Sequence, residues 1–282
     1  VARLNRVPDN TVAKGLIASA CLDLQSAAKG APLWKQWGGD ASVSLSWTVS
    51  RQLPDLMAAE AAEMVAAHGF KALKVKGGQG SDVDAAAIDA IRFACGTDID
   101  IYVDCNQAYD LAASRDYAKR LADLGVVMLE DPYPVKPDDA FRDFARSSPI
   151  PILVDTPCIS ARDAEAFFAR GAHAVSVKPG RIGLAEARAC AAVAKRLGRA
   201  IVVGFFGETD LGSAVNAQLA ASARDSGQVN GLSLPAELSF FLMMREPLLV
   251  EPLVVVGGAM HLPEASSIAC GVDWARLEKL RA

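Results

Sequence analysis

Histidine is scarce in this chain. His68, His173 and His261 are the three among 282 residues, and they lie far apart. A histidine-built metal centre or a Ser-His-Asp triad therefore has little to work with. The six cysteines, Cys21, Cys95, Cys105, Cys158, Cys190 and Cys270, include no Cys-x-x-Cys pair. That spacing excludes a zinc ribbon and a disulfide framework, and it suits the reduced core residues of a cytoplasmic protein. Basic clusters are also missing. The formal net charge is −4 with both signs interspersed, so no nucleic-acid partner is expected. No apolar run has the length of a membrane helix, and no membrane partner is expected. The opening Val1-Ala2-Arg3-Leu4-Asn5-Arg6 lacks an apolar signal core. Chemistry in this chain falls to carboxylates and lysines.

What is abundant is core material. Hydrophobic residues make up 51% of the chain, and the length suits an α/β barrel built as one unit. From Val43 onward, short β-branched runs alternate with alanine-rich helical segments. Strands are predicted at Val43–Val49, Ala72–Gly77, Ile99–Asp104, Val126–Glu130, Ile152–Asp155, Ala174–Lys178, Ala200–Phe205 and Gly231–Leu234. Helices fall between them, near Leu53–Ala67, Ser81–Ala94, Leu111–Leu124, Pro137–Ser147, Ser160–Arg170, Leu184–Leu197 and Gly212–Ala223. The repeat of roughly 23 to 31 residues is one βα unit. The pattern predicts a parallel (β/α) barrel. An open doubly wound sheet fits less well, because no Gly-rich phosphate loop follows the first strand. Residues Thr11 to Trp37 read as helical, ahead of the repeat. The tail leaves the rhythm with a hairpin, Pro247–Val256 and Met260–Pro263 joined at Gly257-Gly258, and a last helix at Trp274–Arg281.

Charges gather at the C-terminal ends of the predicted strands, where barrels of this class place their chemistry. Lys74 and Lys76 alternate with Leu73 and Val75, so both lysines share one face. Solvated lysines on an edge strand are the bland reading. The functional reading is a lysine whose pKa is lowered by burial and a second cation, which makes it a usable general base. Asp104, Glu130 and Asp155 then end three successive apolar strands. Adjacent strands lie about 4.8 Å apart, so the three acids can converge on one hard cation, Mg²⁺ or Mn²⁺. A lone acid there would read as a helix cap. Three in succession, flanked by lysines, read as a site. Lys178 ends the sixth strand of the repeat and faces Lys76 across that metal. Glu208 either hydrogen-bonds the substrate or an active-site lysine, or caps the following helix.

The ordered motifs resemble the enolase superfamily. They are Lys74-x-Lys76, Asp104-x-Asn106, Glu130-x-Pro132, Asp155, Lys178-Pro-x-Arg-x-Gly183 and Glu208-Thr-x-x-Gly212. They are most similar to the muconate lactonizing (cycloisomerase) subgroup of the mandelate racemase/muconate lactonizing family. The resemblance implies a (β/α)7β TIM-like barrel with the C-terminal remnant of an α+β capping domain. Residues 1–40 would be that helical remnant, 41–235 the barrel, and 236–282 a segment whose hairpin returns to the cap. It implies Asp104, Glu130 and Asp155 as ligands of Mg²⁺ or Mn²⁺. Lys76 and Lys178 would be the acid/base pair, with Lys74 tuning Lys76 and with Asn106 and Glu208 in supporting roles. The activity implied is an isomerase or lyase moving the α-proton of a small carboxylate through an enolate, most like a muconate cycloisomerase. N-acylamino acid racemisation and o-succinylbenzoate synthesis share the mechanism, and a non-catalytic binding barrel is the alternative from another class. No Asp-x-Asp pair stands near the eighth strand, which argues against dipeptide epimerisation. Thr156 stands where the family has an acid. Little of the capping domain is in this sequence, so an open mouth, retained metal binding and poor turnover are expected. Trp34, Trp37 and apolar helix positions suggest a homo-oligomer.

Overall fold

The computed structural model describes residues 7, 9–223, 228–231 and 234–280. Helix α1 (Thr11–Lys29) and the short α2 (Leu33–Gln36) precede β1 (Ser42–Ser44) and β2 (Trp47–Val49). The repeat then runs α3 (Pro54–His68), β3 (Ala72–Lys76), α4 (Ser81–Cys95), β4 (Asp100–Asp104), α5 (Leu111–Asp123), β5 (Met128–Glu130), α6 (Asp139–Ser147), β6 (Ile152–Val154), α7 (Ala161–Ala169), β7 (Ala174–Val177), α8 (Pro179–Ile182), α9 (Leu184–Arg196), β8 (Ala200–Val203) and α10 (Asp210–Ser222). The tail adds β9 (Val255–Val256), β10 (Ala259–His261) and α11 (Trp274–Lys279).

Local chemistry sets these boundaries. Pro54 opens α3, and Gly69 ends it in the left-handed conformation. Asp110, Asp138 and Ser160 cap α5, α6 and α7, each side chain accepting a bond from a backbone N–H in the first turn. The strands are apolar on both faces because helices cover one side and the barrel interior the other.

Strands β2 to β8 form one seven-stranded parallel sheet in sequence order. Its two edges are bridged by the segment 235–239. The Glu237 N–H donates to the Val203 carbonyl on β8 at 2.9 Å, and the Ala236 N–H donates to the Ser44 carbonyl at 2.9 Å. The Ser46 N–H returns a bond to the Ala236 carbonyl at 3.0 Å. This differs from the eighth strand predicted at Gly231–Leu234, of which Leu232 and Ser233 lie outside the described residues. The predicted strand Val43–Val49 also divides. At Leu45-Ser46 the chain changes partners, leaving β1 paired antiparallel with β10 while β2 pairs parallel with β3. The hairpin turns at Gly257 and Gly258, with φ of 59° and 74°, as expected. Its first arm is shorter than predicted, because Leu249 and Val250 instead bond to the 271–272 segment.

Tyr102, Met128, Leu153, Ala174, Ala200 and Val202 pack together on the sheet's inward face. They fill its base. In the parallel register Lys74 stands beside Tyr102, and Lys76 beside Asp104, which stands beside Glu130. The ionisable side chains therefore lie level with Tyr102 and Met128 and in the layer above them.

Candidate active site

Strand β3 places Lys74 wholly inside, 1% exposed, and Lys76 at the mouth, with its side chain 25% exposed. The Lys74 ammonium lies 2.7 Å from Glu130 Oε2, 3.1 Å from Asp104 Oδ2 and 3.0 Å from Glu237 Oε1. Burial alone would lower its pKa. Glu130, Glu237 and Asp104 outweigh burial and push it well above the usual lysine value. Three carboxylates close around Lys74, and their pull exceeds any repulsion from Lys76.

Lys76 donates to Asp104 Oδ2 at 2.7 Å and reaches Asn106 Oδ1 at 3.4 Å. Asn106, in the left-handed region at φ 48°, donates its N–H to Asp104 Oδ1 at 2.9 Å and its amide to Oδ2 at 3.2 Å. Burial opposes the ionised form of Asp104, but Lys74 and Lys76 prevail and hold it well below the usual carboxylate range. Glu130 goes the other way. Burial and then Asp104 raise its pKa well above normal, with Lys74 acting against them. Its contact with Lys74 is an ion pair without hydrogen-bond geometry, and both its oxygens are buried with no hydrogen-bond donor.

Across the ring, Lys178 donates to Asp155 Oδ2. Burial lowers its pKa, and Asp155 with Glu130 more than compensates, so the net direction is up. Arg181 Nη2 donates to Asp155 Oδ1 at 3.1 Å, and to the carbonyls of Asp155 and Cys158 at 3.0 and 3.1 Å. Asp155 thus offers one oxygen to an arginine and the other to a lysine.

The six charged residues Lys74, Lys76, Asp104, Glu130, Asp155 and Lys178 are brought into one cluster by ion pairs and strand register. Among the described residues, no three carboxylate, thiolate or imidazole groups are arranged to hold a metal ion as they stand. The lysine ammoniums lie against the oxygens of Asp104, Glu130 and Asp155. Glu208 sits apart. It accepts from the Phe206 N–H and, at 2.9 Å, from Asn216 Nδ2, and α10 has Thr209 at its N-cap.

Three residues of the site carry no strong sequence signal. Glu237 lies on the closing segment, where Tyr102 also donates to it at 2.9 Å. Asp131 is 1% exposed and takes the N–H groups of Asp155 and Thr156 at 3.0 and 2.8 Å, fixing the loop after β6. Arg181 was visible only as a letter in the Lys178 motif. Above the cluster a cavity of about 400 Å³ opens, lined by Lys76, Glu237, Trp47, Phe205, Phe240 and Met243 among others.

A family model described as enolase C-terminal domain-like matches residues 56–274. The chain belongs to the enolase superfamily. Within it, the mandelate racemase/muconate lactonizing family is supported by muconate cycloisomerase relatives. Muconate cycloisomerase 1-2 of Acinetobacter lwoffii is 28% identical over 277 residues, covering 96% of this chain and 70% of that protein. A hydrophobic dipeptide epimerase of Enterococcus faecalis is 30% identical over 217 residues, covering 76% of this chain and 61% of that protein. The crystal structure of muconate cycloisomerase from Pseudomonas fluorescens superposes with a TM-score of 0.87 at 28% identity, covering 99% of this chain and 77% of the other. Other relatives are named o-succinylbenzoate synthase and N-succinylamino acid racemase. This enolase-superfamily barrel therefore has isomerases, racemases and a synthase among its relatives.

Proposed function

We propose that this barrel moves the α-proton of a small carboxylate substrate, with Lys76 on one face of the α-carbon and Lys178 on the other. The observation that carries this reading is the pair of lysines on β3 and after β7, each ion-paired to a carboxylate at the same end of the sheet. A lysine serves as base when neutral and as acid when charged, so two facing lysines suit removal on one face and return on the other. Cycloisomerisation of the muconate type is the finer reading, supported by the motif order and the cycloisomerase relatives. Racemisation and dehydration use the same groups.

The residues fit a divalent cation. Asp104, Glu130 and Asp155 are hard oxygen donors, and Glu130 keeps two buried oxygens without a hydrogen-bond donor. Mg²⁺ or Mn²⁺ held there would polarise the substrate carboxylate and make its α-proton more acidic. Lys74 is read as the fixed cation behind the pair, and Asn106 as the group orienting Asp104 and Lys76. Glu208 is read as a support for the 206–208 loop. Residues up to 40 are read as the helical end of a capping domain and the hairpin as its return. A small-molecule partner and homo-oligomeric assembly belong to the same reading.

The test is solvent deuterium uptake at the α-carbon of a panel of carboxylates with Mg²⁺ or Mn²⁺ present. The expected result is exchange with at least one substrate, with Lys178→Ala removing exchange for one stereoisomer and Lys76→Ala for the other. Equal loss of both stereoisomers in each variant would overturn the two-face assignment. A barrel that binds without turnover is the second reading, favoured by the ion pairs that occupy all three lysines. Absence of exchange across the whole panel would leave that reading standing.

A further inference from the structure

The loop that follows Lys76 is held by a group outside the ionic cluster. Gly77 and Gly78 come straight after β3. A Cβ on Gly77 would meet Val103 Cγ1 at 2.8 Å, the Tyr117 hydroxyl at 2.9 Å and Asp84 Oδ2 at 3.1 Å. Gly78 has φ of 86°, and a Cβ there would meet Ala108 and the Cys105 carbonyl at 2.7 and 2.8 Å. The two glycines let the backbone descend onto one buried carboxylate. Asp84, on the first turn of α4, is 2% exposed. Its Oδ2 accepts from the Gly78 N–H, the Tyr109 hydroxyl and the Tyr117 hydroxyl, each at 2.7 Å, and its Oδ1 accepts from the Gln79 N–H at 3.1 Å. Arg51 stitches the other side of the loop, donating to the Gly77 carbonyl at 2.6 Å and the Cys105 carbonyl at 3.2 Å.

We infer that Asp84 is a positioning residue for Lys76, holding the loop after β3 through Gly78 and Gln79 and locking it to the β4–α5 loop through Tyr109 and to α5 through Tyr117. The proposal rests on the reading of Lys76 as an acid/base. A helix-capping acid would need only the backbone N–H groups before α4. Here two tyrosine hydroxyls from the next βα unit converge on the same oxygen, so the carboxylate joins the loop beside Lys76 to the element after the strand carrying Asp104. Lys178 sits across the ring on a different βα unit and shares none of these bonds. Misplacing a reacting group by about 1 Å can cost on the order of a hundredfold in rate, and that loss should be one-sided.

The experiment compares wild type, Asp84→Asn, Tyr109→Phe and Tyr117→Phe in the α-proton exchange assay with Mg²⁺, using both stereoisomers. The Lys76→Ala and Lys178→Ala variants identify which stereoisomer reports on which lysine. Amide hydrogen exchange at Gly78 and Gln79 is followed in parallel. The expected result is a loss on the order of tenfold or more on the Lys76 face, little change on the Lys178 face, and faster exchange of the two amides. Equal loss on both faces would overturn the proposal and make Asp84 a general stabiliser. Unchanged amide protection in all three variants would also overturn it. If Asp84→Asn does not fold, the tyrosine variants, each removing one donor, decide the matter. If the wild type exchanges no substrate, the proposed function fails, and the amide protection still judges whether Asp84 holds the loop.

Discussion

Lys74 carries a positive charge into a space shared with Asp104, Glu130 and Glu237. Its partners, and not its neighbour in the Lys-x-Lys motif, decide its charge state. That is why the motif was legible while its electrostatics were not. A spacing of two shows which lysines share a face, but Glu237 arrives from the far end of the chain. His173 gives a cleaner case of a residue read through its partners. The Ile152 N–H donates to its Nδ1 at 3.1 Å, so the ring is neutral with its proton on Nε2. Burial first, and then Arg199, lower its pKa below the ordinary value. Between the lowered folded value and the usual value of about 6.5, the unfolded chain binds more protons, so stability rises with pH there. The contribution is complete above the unfolded value and is lost as pH falls through the folded one. Denaturant midpoints of the wild type should drop on acidification through this window more steeply than those of His173→Gln. Parallel curves would remove His173 from the account.

At the scale of elements, the βα rhythm was readable because each barrel strand is a short β-branched run bounded by a capped helix. The ends of the chain were not readable in this way. Asp23 on α1 accepts from the Ser267 hydroxyl at 2.6 Å, the Ile268 N–H at 2.7 Å and the Ala269 N–H at 3.3 Å. Gln218 on α10 accepts from the Trp34 N–H at 3.0 Å. The first helix is thus tied to the tail, and α2 to the last barrel helix, by side chains whose partners lie far away in sequence, and no local pattern announces them. Replacing Asp23 by alanine should leave two backbone donors and a hydroxyl without their acceptor. The expected cost is about 1–3 kcal/mol, given partial solvent access. Limited proteolysis should then cut the tail near residues 265–271 faster than any barrel loop. An unchanged cleavage pattern would show that the tail is held by its apolar contacts alone.

At the scale of the whole molecule, a parallel sheet of seven strands becomes a ring through very few bonds. Ala236 and Glu237 join β8 to the β1–β2 corner, and Leu238, fully buried, packs beside them in the main core. The segment has no β-branched run, so it carries no strand signal, and the ring closes at Ala236 and Glu237, just past the predicted strand Gly231–Leu234. Leu238→Ala should cost about 2–5 kcal/mol. Because both seams belong to one ring, amide protection at Ser46 and at Glu237 should fall by the same factor. Protection lost at one seam alone would show two independent edges.

That closure also has a consequence in time. Synthesis runs from the N-terminus, and domains complete as their last elements emerge. Lys74 and its neighbours Asp104 and Glu130 are made early, but Glu237 is added when most of the chain already exists. Until then Lys74 lacks one of its three acids, and the pairings of Ala236 and Glu237 that join the two edges of the sheet cannot form. The charge cluster cannot be complete before that moment, because Glu237 also takes the Tyr102 hydroxyl. The residue that completes the charge cluster is therefore one of those that make the sheet a ring.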